Sequence, residues 1–395
     1  MTRLLCYMPT PGGLTGAPRR LLTLCQVLKH EGIDVCIASE PGSDLLAAAE
    51  AQGVETICLK LLEILRLRHG ALFGGSLFFK LRAALALIMQ NLAFARLIRK
   101  SDADVVWLRG SKGIAFAVLG AWLARRPVVW DVDGSWHSRG VIKRIYGLGL
   151  QISRVVVHQY ESAGEQIFGQ KAAEKFNYKS YTLVPGIELN RLESLKKRKR
   201  GQDGNQNPEQ PFQILEVGSI CERKNQRLMI EAIAELKRIG VNRRILFQVA
   251  GGVFEEDYAK RLIEDIKKTG LQENVEPLGW RDDIHSLMSK ADLLVLPSLD
   301  EGVPNAVQEA MYIGLPVMVS NAGGMPEIVE HGKTGWVLSV DDSRLWAQQI
   351  ADCIRNEEKC RSVGETASMY ADKHFSTDVW GKRYAEVVRQ AAGQL

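Results

Sequence analysis

The sequence predicts an α/β protein of two units, each built on a parallel sheet. Three observations carry this. The chain has 395 residues, more than one simple core accommodates. Short apolar runs alternate with amphipathic helical patterns along both halves, the signature of βαβ units. The charge is divided as well: residues 1–200 hold 29 Lys/Arg against 16 Asp/Glu, a net of +13, and residues 201–395 hold 22 against 30, a net of −8.

The first unit is expected over residues 1–195, with strands at Leu4–Met8, Asp34–Ala38, Val105–Leu108, Val128–Asp131 and Arg154–His158. A helix after Gly16 draws its apolar side from Leu21, Leu22, Leu24, Cys25, Val27 and Leu28. Residues 196–211 pass from a basic run into a Gly/Asn/Pro-rich stretch and predict a solvated linker. Aromatic residues are missing beside that run, which disfavours nucleic acid. The second unit, 212–375, has strands at Gln213–Val217, Ile245–Ala250, Val275–Leu278, Leu293–Pro297, Pro316–Ser320 and Gly335–Leu338. Helical patterns lie between them at Arg227–Ile239, Tyr258–Lys268 and Asp282–Lys290. Residues 376–395 predict a terminal helix, with Val379, Trp380, Tyr384, Val387 and Val388 available for burial across the domain junction.

Several classes are disfavoured. The seven cysteines form no CxxC pair and are odd in number, which fits a reducing compartment better than a disulfide framework. The N-terminus runs straight into a strand, so a secretory leader is not expected. The longest uncharged apolar stretch, Ala83–Ala95, is interrupted by Gln90 and Asn91 and is short for a bilayer span. No GxGxxG follows a strand, which argues against a dinucleotide enzyme.

Four loops carry candidate chemistry, each at the carboxyl end of a predicted strand, where open α/β sheets bind ligands. Gly218 and Ser219 precede Arg223 and Lys224, an arrangement suited to a phosphate: small residues admit the backbone, and lysine supplies charge. The segment Glu301-Gly302-Val303-Pro304-Asn305, with Glu309 one turn into the following helix, offers backbone amides to a diphosphate and carboxylates to a sugar diol. Asn321–Glu327 adds a Gly323-Gly324 turn, and Gly12-Gly13 follow the first strand. Taken singly, each loop also reads as an ordinary strand-to-helix turn with solvated charges.

In combination these residues resemble the retaining family-4 glycosyltransferases of the GT-B fold. The resemblance is specific over the second half and loose over the first. It implies two facing Rossmann-like domains with a cleft between them, a nucleotide-sugar donor held by the second, and an acceptor held by the first. It implies no cofactor and no obligatory metal, since the nucleotide sugar is a substrate. Carried over, Glu309 binds the donor ribose and Glu301 the transferred sugar. Lys224 neutralises the leaving diphosphate, Gly302 to Asn305 offer amides, and Gly279, Trp280 and Arg281 flank the base. Two departures stand out. Ser219 occupies a position where the family usually has Arg, with Arg223 as a candidate replacement. Many relatives carry a His after the strand corresponding to Val128–Val132, where this sequence has Asp133, so the sugar contact falls to Asp133, which we prefer, or to His137.

Residues 60–100 combine eight Lys/Arg with one acid and many large apolar residues. That pattern fits a helix in a membrane interface and equally one packed on the core. The basic first half favours an anionic membrane surface and a lipid-linked or growing glycan acceptor, hence a cytoplasmic protein peripheral at the inner face of the membrane. Two rival functions share the fold: a nucleotide-sugar 2-epimerase, and a non-catalytic basic protein whose donor site has decayed at Ser219.

Overall fold

The computed structural model describes residues 1–9, 13–14, 16–66, 76–132, 140–188, 192–196 and 210–394. The chain forms two compact units, one made of Met1–Pro185 together with Thr377–Leu395, the other of Gly186–Ser376.

The first unit runs β1 (Arg3–Tyr7), α1 (Gly16–His30), β2 (Asp34–Ser39), α2 (Asp44–Ala51), β3 (Glu55–Cys58), α3 (Leu77–Ser101), β4 (Val105–Arg109), α4 (Gly110–Leu123), β5 (Val128–Val132), α5 (Gly140–Ile152), β6 (Val155–His158), α6 (Ala163–Phe168), α7 (Gln170–Phe176) and β7 (Ser180–Thr182). The strands form one parallel sheet in the order β3-β2-β1-β4-β5-β6-β7. Helices cover both faces, so the inner strands are buried throughout: β1 from Leu4 onward, and β4, β5 and β6 over their whole lengths. β3 and β7, which sequence did not predict, are the sheet's two edges.

The second unit runs β8 (Phe212–Val217), α8 (Gln226–Arg238), β9 (Ile245–Ala250), α9 (Glu256–Lys268), β10 (Val275–Gly279), α10 (Ile284–Lys290), β11 (Leu293–Leu296), α11 (Asn305–Ile313), β12 (Val317–Ser320), α12 (Met325–Ile328), β13 (Trp336–Leu338), α13 (Ser343–Arg355) and α14 (Glu357–His374). Its sheet is also parallel, in the order β10-β9-β8-β11-β12-β13.

The crossing from first to second unit falls after Pro185 rather than at the expected 195. Lys196, expected to open a solvated linker, is buried in the second unit: it pairs with Asp372 and lies 4.4 Å from the Tyr312 ring centre. Residues 197–209 of the expected linker lie outside the described residues. The terminal helix, α15 (Thr377–Ala392), belongs to the first unit. Tyr384 stacks on Trp107 with ring centres 5.7 Å apart and donates its hydroxyl to the Leu183 carbonyl at 3.1 Å. Arg389 donates to the Glu31 carbonyl at the end of α1 at 2.6 Å.

Candidate functional site

Sheet order decides where a ligand can sit. In the second unit consecutive strands run outward from β8 in one direction and from β11 in the other, so the connections diverge between these two neighbours. Diverging connections open a crevice at the carboxyl ends of the two strands. The loop after β8 carries Gly218 to Lys224, and the loop after β11 carries Glu301 to Asn305.

The two loops are tied together. The Leu299 amide donates to the Arg223 carbonyl at 2.8 Å, and Asn225 Nδ2 donates to the Pro297 carbonyl at 3.3 Å. Both cations of the first loop converge on one oxygen of the second. Lys224 Nζ lies 2.6 Å from Glu301 Oε1, and Arg223 Nη1 donates to the same oxygen at 2.7 Å and to the Asp300 carbonyl at 2.8 Å. Lys224 and Glu301 are nearly buried, Arg223 half-exposed. Burial alone would push the Glu301 carboxyl up. The charges of Lys224 and Arg223 outweigh burial and hold it below the usual carboxylate range. The lysine stem passes over Gly218, where a Cβ would lie 2.8 Å from Lys224 Cε.

The Gly323-Gly324 turn after β12 closes the third side. The Gly324 amide lies within 3.3 Å of the Glu301 carbonyl and 3.2 Å of the Gly302 carbonyl. Gly323 has φ +58, and a Cβ there would overlap the Glu301 carbonyl oxygen. Val303 and Pro304 lead into α11, whose cap residue Pro304 supplies no capping side chain, so Asn305 opens the helix. Ser219 is half-buried, and its carbonyl accepts from Gln226 Nε2 at 3.2 Å.

Glu309, on α11, does not join Glu301. Its Oε2 lies 3.5 Å from His285 Nε2 on α10. Gly279 ends β10 at a register shift, and Trp280 beyond it is exposed. Arg281 is committed to Asp283 through two hydrogen bonds of 2.7 Å.

Sequence reasoning missed Glu216. It is fully buried inside β8, where its Oε1 accepts from Gln226 Nε2 at 2.7 Å. Burial pushes its carboxyl up to about 8 against the pull of Lys224 and Gln226, and nearby Glu301 adds to the rise. The folded chain therefore holds a proton that the unfolded chain releases near 4.5. This stabilisation is complete below 4.5 and is lost as pH rises to about 8. Glu216→Gln is expected to flatten that decline, worth up to roughly 4–5 kcal/mol. Melting temperatures of both proteins across the window check it; parallel curves would contradict a buried neutral carboxyl. An acid inside an apolar run was the only visible signal.

In the first unit the strand order diverges between β1 and β4. Gly13 lies in the loop after β1, with ordinary space around it. Gly12, Asp133 and His137 lie outside the described residues. Just before them, Asp131 at the end of β5 is buried beside its register partner Arg109, with which it pairs, and accepts from Trp107 Nε1 at 3.3 Å. Neither residue of this pair was anticipated.

Residues 197–369 match the model described as glycosyl transferases group 1, and residues 15–162 match the glycosyl transferase 4-like domain. The putative colanic acid biosynthesis glycosyltransferase WcaL of Escherichia coli is 34% identical over 192 residues, covering 46% of this chain and 46% of that protein. The chain thus matches somewhat under half the length of that relative. A GDP-mannose-dependent α-(1-6)-phosphatidylinositol monomannoside mannosyltransferase of Mycobacterium tuberculosis is 25% identical over 316 residues, covering 74% of this chain and 78% of that one. Among solved structures, Anabaena HepE in complex with UDP-glucose superposes with a TM-score of 0.78 at 20% identity, covering 99% of this chain and 100% of that one. These likenesses agree with the two parallel-sheet units: the GT-B class expected from sequence is the fold found.

Proposed function

We propose that this chain, with its glycosyl transferase group 1 and 4-like domains, moves a sugar from a nucleotide-diphosphate sugar to an acceptor hydroxyl with retention of anomeric configuration. One observation carries the reading: Arg223 and Lys224 converge with Glu301 in the crevice between β8 and β11. A departing diphosphate gains charge as the glycosidic bond breaks, and fixed cations in a poorly hydrated crevice stabilise that charge most where it develops. Arg223 supplies the second cation that Ser219 lacks. Gly218 gives the lysine room, and the residues from Gly302 to Asn305 offer backbone to the sugar and phosphates. Glu301 then contacts the transferred sugar, Glu309 the ribose, and Gly279 with Trp280 the base, with Arg281 held aside by Asp283.

With two cations at the phosphates, the reaction is proposed to need no metal, so a chelator should leave turnover unchanged. The acceptor is assigned to the first unit, with Asp133 or His137 near the sugar. It is proposed to be a lipid-linked or growing glycan of a cell-surface polysaccharide, met at the inner face of the cytoplasmic membrane. The WcaL relative supports the polysaccharide setting, and UDP-glucose in HepE supports a uridine donor, with guanosine as the alternative base.

Thermal-shift screening against UDP, GDP and their sugars tests the donor reading. A ligand at 100 times its dissociation constant should stabilise by about 2.7 kcal/mol. No shift with any of them would overturn it. Incubating the bound nucleotide sugar without acceptor separates the epimerase alternative, which alone would yield an epimer.

A further inference from the structure

Helix α3 leaves its large apolar residues outside over its first four turns. It is capped by Ser76, whose hydroxyl accepts from the Phe79 amide at 3.3 Å, and it packs along α4. Over its first four turns the inward face is small and polar, with Ala83, Ala86, Gln90 and Asn91 buried, and beyond them Phe94, Leu97 and Ile98 anchor the helix in the core. Asn91 binds α4 from both ends of its amide, donating to the Ala115 carbonyl at 3.1 Å and accepting from the Gly120 amide at 3.1 Å. Gly120 lacks a side chain where a Cβ would overlap the Asn91 carbonyl oxygen, so the two helices meet backbone to backbone. The outward face, by contrast, presents Leu77, Phe78, Leu81, Leu85, Ile88 and Leu92, each between 42% and 74% exposed. At 3.6 residues per turn these positions form one stripe about 24 Å long.

The helix has the length and composition of a membrane span, yet 44% of its most apolar window is buried within its unit. It is therefore fixed along the unit's surface by its inner face. The charges on the helix itself are of one sign. Lys80 and Arg82 flank the stripe on either side, Arg96 and Arg99 continue it, Lys100 follows, and the helix contains no acid. The Leu123 carbonyl accepts from Arg99 at 3.3 Å, which sets exposed Trp122, at the end of α4, beside this basic end. A second copy seated face to face would bring cations against cations, which disfavours a dimer. A surface that takes large apolar side chains, an interfacial tryptophan and a cluster of cations together is an anionic lipid interface.

We propose that α3 docks this protein in the plane of an anionic membrane, its aliphatic stripe in the acyl–headgroup boundary and its cations on lipid phosphates. The inference rests on the membrane setting proposed for the acceptor and stands apart from the donor site. Flotation of the full chain tests it, using vesicles of phosphatidylcholine and phosphatidylglycerol in equal parts against phosphatidylcholine alone. The chain should float with the anionic vesicles and detach as salt rises. The triple change Leu81→Ser, Leu85→Ser, Ile88→Ser should lower partitioning by at least about a hundredfold. Lys80→Gln with Arg82→Gln and Arg96→Gln should lower it about a hundredfold at low salt. Both variants alter exposed positions and should keep the wild-type melting temperature and nucleotide response. Three results would overturn the proposal: no flotation of the wild type, undiminished flotation of the serine variant, or a dimer that those serines dissociate. A chain that floats but takes no nucleotide overturns only the donor reading.

Discussion

Lys224→Ala should lower turnover with the donor identified by thermal shift by about a hundredfold to a thousandfold, the loss typical of removing one charge-stabilising donor from a reacting centre. Lys224 is the buried member of the cation pair, 2.6 Å from Glu301, whereas Arg223 is half-exposed. Solvent screens the arginine more and the lysine less, so the two should not be interchangeable. Acceptor KM should move little. The change also leaves Glu301 with Arg223 as its remaining partner at that oxygen, which should lower stability by about 1.5–3 kcal/mol. Comparing melting temperature with single-turnover rate separates the two effects. A full rate in the Lys224→Ala protein would remove lysine from the assigned role.

Gly323→Ala should disable the site by another route. The φ of +58 costs an L-residue roughly 1–2 kcal/mol. The added methyl must also displace the carbonyl of Glu301, a backbone atom that cannot swing aside as a side chain would. Overpacking of this kind adds roughly 1–3 kcal/mol. The relaxation that relieves it moves the Glu301 peptide, and with it the carboxylate that Arg223 and Lys224 share. The expected result is a lower melting temperature together with loss of the nucleotide shift. Retention of both in Gly323→Ala would mean the turn does not set the position of Glu301.

Much of the architecture was readable because parallel strands covered on both faces write themselves as unbroken apolar runs. All six strands of the second unit appear where they were expected, from Phe212–Val217 to Trp336–Leu338, with β11 and β12 the clearest apolar runs. The two strands missed, Glu55–Cys58 and Ser180–Thr182, are edges with no fully buried residue, so nothing selects an apolar run there. The site divides in the same way. Spacing within one loop and helix identifies Glu301 and Glu309. The pairing of Arg223 with Glu301 spans 78 residues and depends on β8 lying beside β11, which local pattern does not encode. The His285 contact to Glu309 was invisible for the same reason, and the buried acid Glu216 showed only as an acid inside an apolar run. For α3, both faces are apolar in sequence. Only the packing of its alanines and Asn91 on α4 shows which face is left to the outside.

The return of the chain at Thr377 has a consequence for how the protein is made. The core of the first unit is completed by Trp380, Tyr384, Val387 and Val388, which lie against Leu21, Trp107 and their neighbours. That core stays open along one side until residues 377–392 have left the ribosome. The second unit, which lies entirely within Gly186–Ser376, has all of its residues in hand earlier. Domains complete themselves as their residues emerge, so the unit that begins this chain is the one that is finished last.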